Sequence, residues 1–197
     1  MQSFSTSQVA TLNTQQISTL FALSSLGFTG KQVASISTTA INALSDVQLN
    51  QLTTDQVKAL TTAQIAALTS AKLNLLSEDN LKAITTTDIA SLSTTNISAL
   101  TTTQISNLAT DQVKALTSAQ VKALSTDQVK SLSAEQVASF TTTDIAVLSS
   151  DQISALGTDQ IGSLGTAQIQ SLSLAAVKNL STLQLSAMGT DQIKALT

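Results

Sequence analysis

Catalysis near neutral pH needs a side chain that titrates, attacks or ligates, and this chain has no His, Cys, Tyr, Trp or Arg. What remains is Ser and Thr, nine Lys and twelve carboxylates. The carboxylates are dispersed, with Glu78 and Asp79 the one adjacent pair, and no spacing resembles a calcium loop or a zinc site. There is no Walker motif and no GxGxxG. Asn96-Ile97-Ser98 and Asn179-Leu180-Ser181 match glycosylation acceptors, but a chain this rich in Ser and Thr produces such matches by chance. The expectation is a protein that is not an enzyme, with no metal, no cofactor and no small-molecule substrate.

The chemistry the sequence does repeat is hydrogen bonding. Ser or Thr followed three residues later by Gln recurs along the whole chain, as in Thr53 and Gln56. That is a capping box, in which the hydroxyl accepts from the amide at N3 while the Gln side chain reaches back to the N-cap amide. The residue before each such Ser or Thr is large and apolar. Stepping by eight from Phe4 to Leu196 meets 25 positions, filled by 19 Leu, three Phe, two Ile and Met188 without a slip. With that beat as position 1, the octad reads Leu, Thr/Ser, Thr, Asp/Ala/Thr, Gln, Ile/Val, variable, Ala/Ser, and LTTDQVKA at 52–59 is a good specimen. Position 5 is Gln in 16 of the 24 complete octads, and position 6 is Val, Ile or Leu in 23.

Positions 1 and 6 fall at N′ and N4 of a helix capped at position 2, so Leu52 and Val57 form a hydrophobic staple. Asp55, Asp79, Asp111, Asp127 and Asp191 sit at N2, each with a Lys three residues on (Lys58, Lys82, Lys114, Lys130, Lys194). The spacing therefore predicts an all-α solenoid of about 24 short capped helices, one per 8-residue repeat, with a bend through positions 1 and 2. Gly157, Gly165 and Gly189 at position 2 fit a site that leaves helical geometry. One continuous helix is excluded, because its apolar stripe would rotate by about 80° per octad. A β-solenoid is the alternative, since an even period keeps strand faces and Thr, Val and Ile suit strands; against it, positions 6 and 8 share a face that excludes position 1. A far-UV spectrum separates the two. Burying one Leu and one Ile or Val does not offset the ordering of eight backbones, so stability must come from stacked turns. Three or four octads per turn would fill such a core, with positions 2 and 5 free to bond between turns.

The octad at 20–27 breaks the rule: Phe21 replaces the cap, Leu23 the acid and Ser25 the staple residue, and Leu26 follows. It predicts a longer, differently packed helix or terminal cap, or else an exposed docking patch. Leu174 and Leu183, like Val47, place apolar groups where Thr or Asp face water. Phe21, Leu23, Leu26, Leu174 and Leu183 are thus the candidate self-association or capping patch, joining arrays head to tail or onto flanking domains of a larger protein.

A uniform repeat gives no internal boundary, so 1–197 reads as a single repeat domain. At 42% apolar residues the chain is no disordered tract, and at 11% charged residues its surface is hydroxyl and amide. A net charge of −3 without a basic run argues against nucleic acid. No apolar stretch approaches a membrane span, and MQSFSTSQVA lacks the layout of a signal peptide.

LTTDQVKALTTAQIAALT, with LTSAQVKALSTDQVKSLS, resembles the octapeptide-repeat arrays of large bacterial exoproteins of the adhesin or haemagglutinin-like type, over residues 4–196. That resemblance implies a secreted or surface-anchored bacterial protein whose repeats act as a stalk or matrix component. The function expected is a structural scaffold or spacer able to self-associate; the alternative is a protein- or ligand-binding solenoid.

Overall fold

The computed structural model describes residues 4–24 and 27–196. Among them lie 23 short helices and no strand, numbered α1 to α23 in chain order. The fold is an all-α repeat, and the β-solenoid is set aside. The two compact units of the chain are Met1–Leu100 and Thr101–Thr197.

Each octad makes its helix by the same local means. In α6 (Thr54–Lys58) the Thr53 hydroxyl accepts from Gln56 N at 3.2 Å, and Thr53 N donates to Gln56 Oε1 at 2.9 Å. The helix then stops because positions 1 and 2 are both extended: Leu124 lies at φ −62°, ψ 139° and Ser125 at φ −72°, ψ 162°. Two extended residues between helices of five or six residues turn the chain once per octad. No described residue has a positive φ. Gly157, Gly165 and Gly189 sit at φ between −72° and −74°, a conformation open to any residue. Their glycine character is therefore not required by the bend.

Three helices complete a turn. In the first unit α4 (Thr38–Asn42) packs on α7 (Thr62–Ala67), and α7 on α10 (Thr86–Ser91). In the second, α12 (Thr102–Ser106), α15 (Thr126–Ser131), α18 (Ser150–Ala155) and α21 (Leu174–Lys178) form such a column. Positions 1 and 6 fill the core: Leu52 and Val57 are buried, as are Leu156 and Ile161. Positions 3 and 4 face solvent.

The octads at 12–27 depart from this plan. Phe21 offers no hydroxyl to cap a new helix, so α2 runs on from Thr14 to Ser24, started by a box between Asn13 and Gln16. A continuing helix brings the residue four after buried Ile17 back to the core, and that residue is Phe21. It is 1% exposed and stacks on Phe28 with ring centroids 4.9 Å apart, while Leu20 is left half-buried. The differently packed helix is what forms here; as a member of a docking patch Phe21 is corrected to a core residue.

Turns approach closely where α3 (Gly30–Ser35) meets α6: a Cβ on Gly30 would lie 2.8 Å from Ala59 Cβ. Gly30→Ala is expected to lower the first unit's stability by about 1 kcal/mol despite its better helix propensity, because two rigid Cβ atoms must separate. Gly157→Ser, whose Cβ meets nothing nearer than Gln160 Oε1 at 3.6 Å, adds the absent cap hydroxyl and should raise stability by a few tenths of a kcal/mol. Thermal melts of both check the contrast.

Candidate functional site

The repeated feature with the most chemistry is the carboxamide at position 5. Its Oε1 closes the cap of its own helix, and its Nε2 donates across to the turn below. Gln56 Nε2 reaches Phe28 O at 2.8 Å, and Gln64 reaches Ile36 O at 2.7 Å and Val33 O at 2.9 Å. In the second unit Gln152, Gln160, Gln168, Gln184 and Gln192 do the same to Leu124, Leu132, Phe140, Leu156 and Leu164 at 2.6–2.9 Å, each 28 residues back. The acceptors belong to the bend, where the last carbonyls of a short helix have no partner within it. One side chain thus satisfies the start of its own helix and the end of one below. These amides are buried, Gln64 at 1% exposure, so each bond forms away from water.

Replacements at position 5 keep the cross-turn bond by other means. Asn80 and Asn96 are too short to reach their own N-cap amide, yet Nδ2 still donates to Leu52 O at 2.9 Å and Leu68 O at 3.1 Å. Asn96 is buried and bonded, which withdraws it as a glycosylation acceptor. Lys72 Nζ takes Leu44 O at 2.5 Å and pairs with Asp46 at 3.1 Å. Asp88 and Asp144 cannot donate, so the direction reverses: Thr62 Oγ1 and Ser118 Oγ, 26 residues back, donate to them at 2.6 and 2.7 Å. Along α2, where the bend is missing, Gln48 goes to Ser18 O at 2.6 Å, 30 residues back.

Ala176 leaves a gap in the ladder, since nothing in its side chain can donate to Leu148 O. Its cap residue Ser173 has the usual torsions, φ −64° and ψ 150°, so the site has the backbone that holds Gln elsewhere. Ala176→Gln is expected to stabilise the second unit by about 1 kcal/mol, the usual net value of such a bond, read as a higher urea midpoint.

Surface charge is sparse and lightly used. Lys82 pairs with Glu78 at 2.6 Å, and Lys194 meets Asp191 at 3.9 Å. Both pairs are exposed and contribute little. The exposed Glu135 carboxyl is held below the usual carboxylate range, first by the backbone amide of Glu135 and then by the Ser133 hydroxyl. Among the described residues no group of His, Cys, Asp or Glu could hold a metal ion. Nor is any described helix long and apolar enough to cross a membrane.

The residues singled out for the array ends do not come together. Leu23, Leu174 and Leu183 are 71–73% exposed, but they stand at positions 3 and 4, which face outward in every turn. Leu26 lies outside the described residues. The sequence signal that would have located the stacking faces is position 6, whose side chains the next turn covers.

The model of the ALTTAQ repeat matches residues 31–62, 81–118, 106–142, 137–174 and 164–197, together about three quarters of the chain. The chain belongs to the ALTTAQ repeat family. No curated protein matches it. Outside the ALTTAQ matches lie 1–30, which holds α2, and 63–80. Each ALTTAQ match spans four to five octads, enough to include a rung and the carbonyl it reaches one turn away.

Proposed function

We propose that this ALTTAQ array is a structural, non-enzymatic scaffold that holds other parts of a bacterial surface or extracellular protein at fixed separations. The observation that carries this reading is the ladder itself: turn after turn, each unit is joined by the same buried amide-to-carbonyl bonds, so it gains length by adding equivalent turns. A side chain that caps its own helix and grips the helix below couples local folding to stacking, which resists bending more than apolar contacts alone. Short hydroxyl side chains at position 3 suit an exposed stalk that should bind little. The bacterial surface setting rests on resemblance to exoprotein arrays.

Because the chain has no Cys, spin labels can be placed without background. Cysteines introduced at Thr103, Asp127, Asp151 and Ala175, position 4 of successive turns on one column, should give narrow distance distributions. From Thr103, each turn should add about 10 Å, the usual spacing of packed helices. Broad distributions at Ala175 would remove the spacer reading. Detection by antibody on intact source cells tests the location separately.

A binding module is the second reading, and one feature favours it. Thr38, Thr39, Asn42, Ala43 and Ala67 line a shallow cleft beside α4, and Asn42 Oδ1 is buried there with no protein donor. A ligand of that cleft must bring a neutral hydrogen-bond donor. Loss of ligand on Asn42→Leu with the fold intact is the outcome that would favour it.

A further inference from the structure

Two rungs of the ladder put a negative charge where the others put a donor. Asp88 and Asp144, at 4% and 3% exposure, stand at position 5, one in each unit. Their hydrogen bonds come from neutral groups. Thr62 Oγ1 and Thr85 Oγ1 donate to Asp88, both at 2.6 Å. Asp144 accepts from Ser118 Oγ at 2.7 Å, Thr141 Oγ1 at 2.6 Å and Thr141 N at 2.9 Å. Among the described residues no Lys pairs with either carboxylate. A buried charge is ordinarily paired with a counter-charge or bound to an ion. By register the carbonyl each rung serves is 28 residues back, Leu60 O or Leu116 O, and no described group donates to either.

Two other rungs of the first unit show what fits between such a carboxylate and such a carbonyl. Asn96, the isostere of Asp, accepts from Ser70 Oγ at 3.0 Å and points Nδ2 at Leu68 O at 3.1 Å. Asp144 keeps the equivalent bond, to Ser118, but turns its second oxygen back to its own cap at Thr141 N, because an oxygen cannot face a carbonyl without a positive atom between them. Lys72 brings that positive atom in person: Nζ stands at the rung, 2.5 Å from Leu44 O and 3.1 Å from Asp46 Oδ1. Asp46 lies 26 residues before its rung, the place that Thr62 and Ser118 hold for theirs. At Asp88 and Asp144 the acid has moved from that place to position 5, and no side chain brings the ammonium.

The geometry points to a monovalent cation of ammonium size, potassium or ammonium itself, bound at each of these rungs: between Asp88, Thr62 Oγ1 and Leu60 O in the first unit, and between Asp144, Ser118 Oγ and Leu116 O in the second. Each site holds a single carboxylate, so the other ligands are carbonyl and hydroxyl oxygens. The hydroxyls give their protons to the carboxylate and keep lone pairs for the ion. Divalent ions fit poorly, because one carboxylate offsets one positive charge. Reach agrees: the nitrogens of Lys72 and Gln64 lie 2.5–3.1 Å from Leu44 O, Asp46 and Ile36 O, against about 2.3–2.6 Å for calcium with its six to eight oxygens and about 2.0–2.1 Å for magnesium. The ion does for two acidic rungs what Nε2 does for the amide rungs. The site stands apart from the spacer and cleft-binding readings, since it concerns only how one turn is joined to the next.

Urea midpoints of the whole chain, in potassium chloride against tetramethylammonium chloride at one ionic strength, test the site. Potassium should raise the wild-type midpoint, and above its Kd each tenfold rise in potassium should multiply the folded-to-unfolded ratio by up to about tenfold per site. Ammonium should do the same. Asp88→Gln combined with Asp144→Gln supplies two neutral donors of the usual kind, so this variant should lose the response to potassium and be at least as stable as wild type without it. Asp55→Asn removes an exposed carboxylate at position 4 and should leave the response unchanged. Thr62→Val with Ser118→Ala removes one ligand from each site outside the core, and should raise the potassium needed for the response at least about tenfold. A wild-type midpoint that ignores potassium overturns the site, as does a response that ammonium does not reproduce. So does one that survives in the double Gln variant, that Asp55→Asn abolishes, or that Thr62→Val with Ser118→Ala leaves unchanged.

Discussion

Gln160→Ala is expected to cost the second unit about 3 kcal/mol, far more than an alanine normally costs on a short, hydroxyl-rich helix. Gly157 N and Leu132 O lose their partner together, and Val129 O is left with Leu132 N alone. Gly157 N, which has no cap hydroxyl beside it, donates to Gln160 Oε1 at 2.7 Å. Leu132 O and Val129 O accept from Nε2 at 2.6 and 3.1 Å. An unsatisfied buried polar group costs about 1–3 kcal/mol, and the truncation adds a cavity. Gln160→Glu separates the two roles of the side chain. The introduced carboxyl can still accept from Gly157 N, but when ionised it faces two carbonyl oxygens, so the folded chain favours its protonated form. Its pKa in the folded state then lies above the ordinary value of about 4.3. A raised folded pKa means that the native state binds more protons, so stability falls as pH rises. Below about pH 4 the variant should approach wild type, and its deficit should widen as pH climbs through the folded pKa and level off beyond it. Urea midpoints at a series of pH values measure this. A deficit that does not change with pH would mean that the cross-turn bond contributes nothing.

Much of this device is legible in the octad and part of it is not. Thr53 and Gln56 identify the helix start, because a capping box is a contact over three residues and needs no tertiary information. Leu52 and Val57 identify the core for the same reason. The partner of Gln56, Phe28 O, lies 28 residues away, and that distance follows only once the number of helices per turn is known. Two extended torsions at each bend decide that number, and side-chain identity leaves them free. Thr62 with Asp88 and Ser118 with Asp144 were invisible for the same reason: each pair, 26 apart, is one turn plus two positions. Phe21 misleads differently. Read as a broken cap it looks like surplus apolar surface, whereas a helix that fails to stop keeps rotating and carries it under Phe28. The exposed leucines at 174 and 183 draw attention by their type, but position 6 decides which surface stacks.

Removing whole turns should leave the lattice intact, and removing a fraction of an octad should not. Deletion of 140–163 joins Ser139 to Leu164 and takes out three octads, so every later helix keeps its phase and its column. Three helices per turn then assign new partners: Gln168 should donate to Leu116 O, and Gln184 to Leu132 O. Deletion of 144–163 removes four residues fewer, yet it brings the beats Phe140 and Leu164 within four positions of each other. No capped helix fits between them, so one of these side chains must leave the core and the extra residues must loop out. Expelling a Phe or Leu of that size costs about 2–5 kcal/mol, with loop closure added. The shorter protein is therefore expected to be the more stable of the two, by at least about 2 kcal/mol in urea, and to keep the helical signal per residue of the parent. Chain length and hydrophobic content both favour the opposite order, so a longer variant of equal or greater stability would show that the eight-residue phase is not what couples one turn to the next.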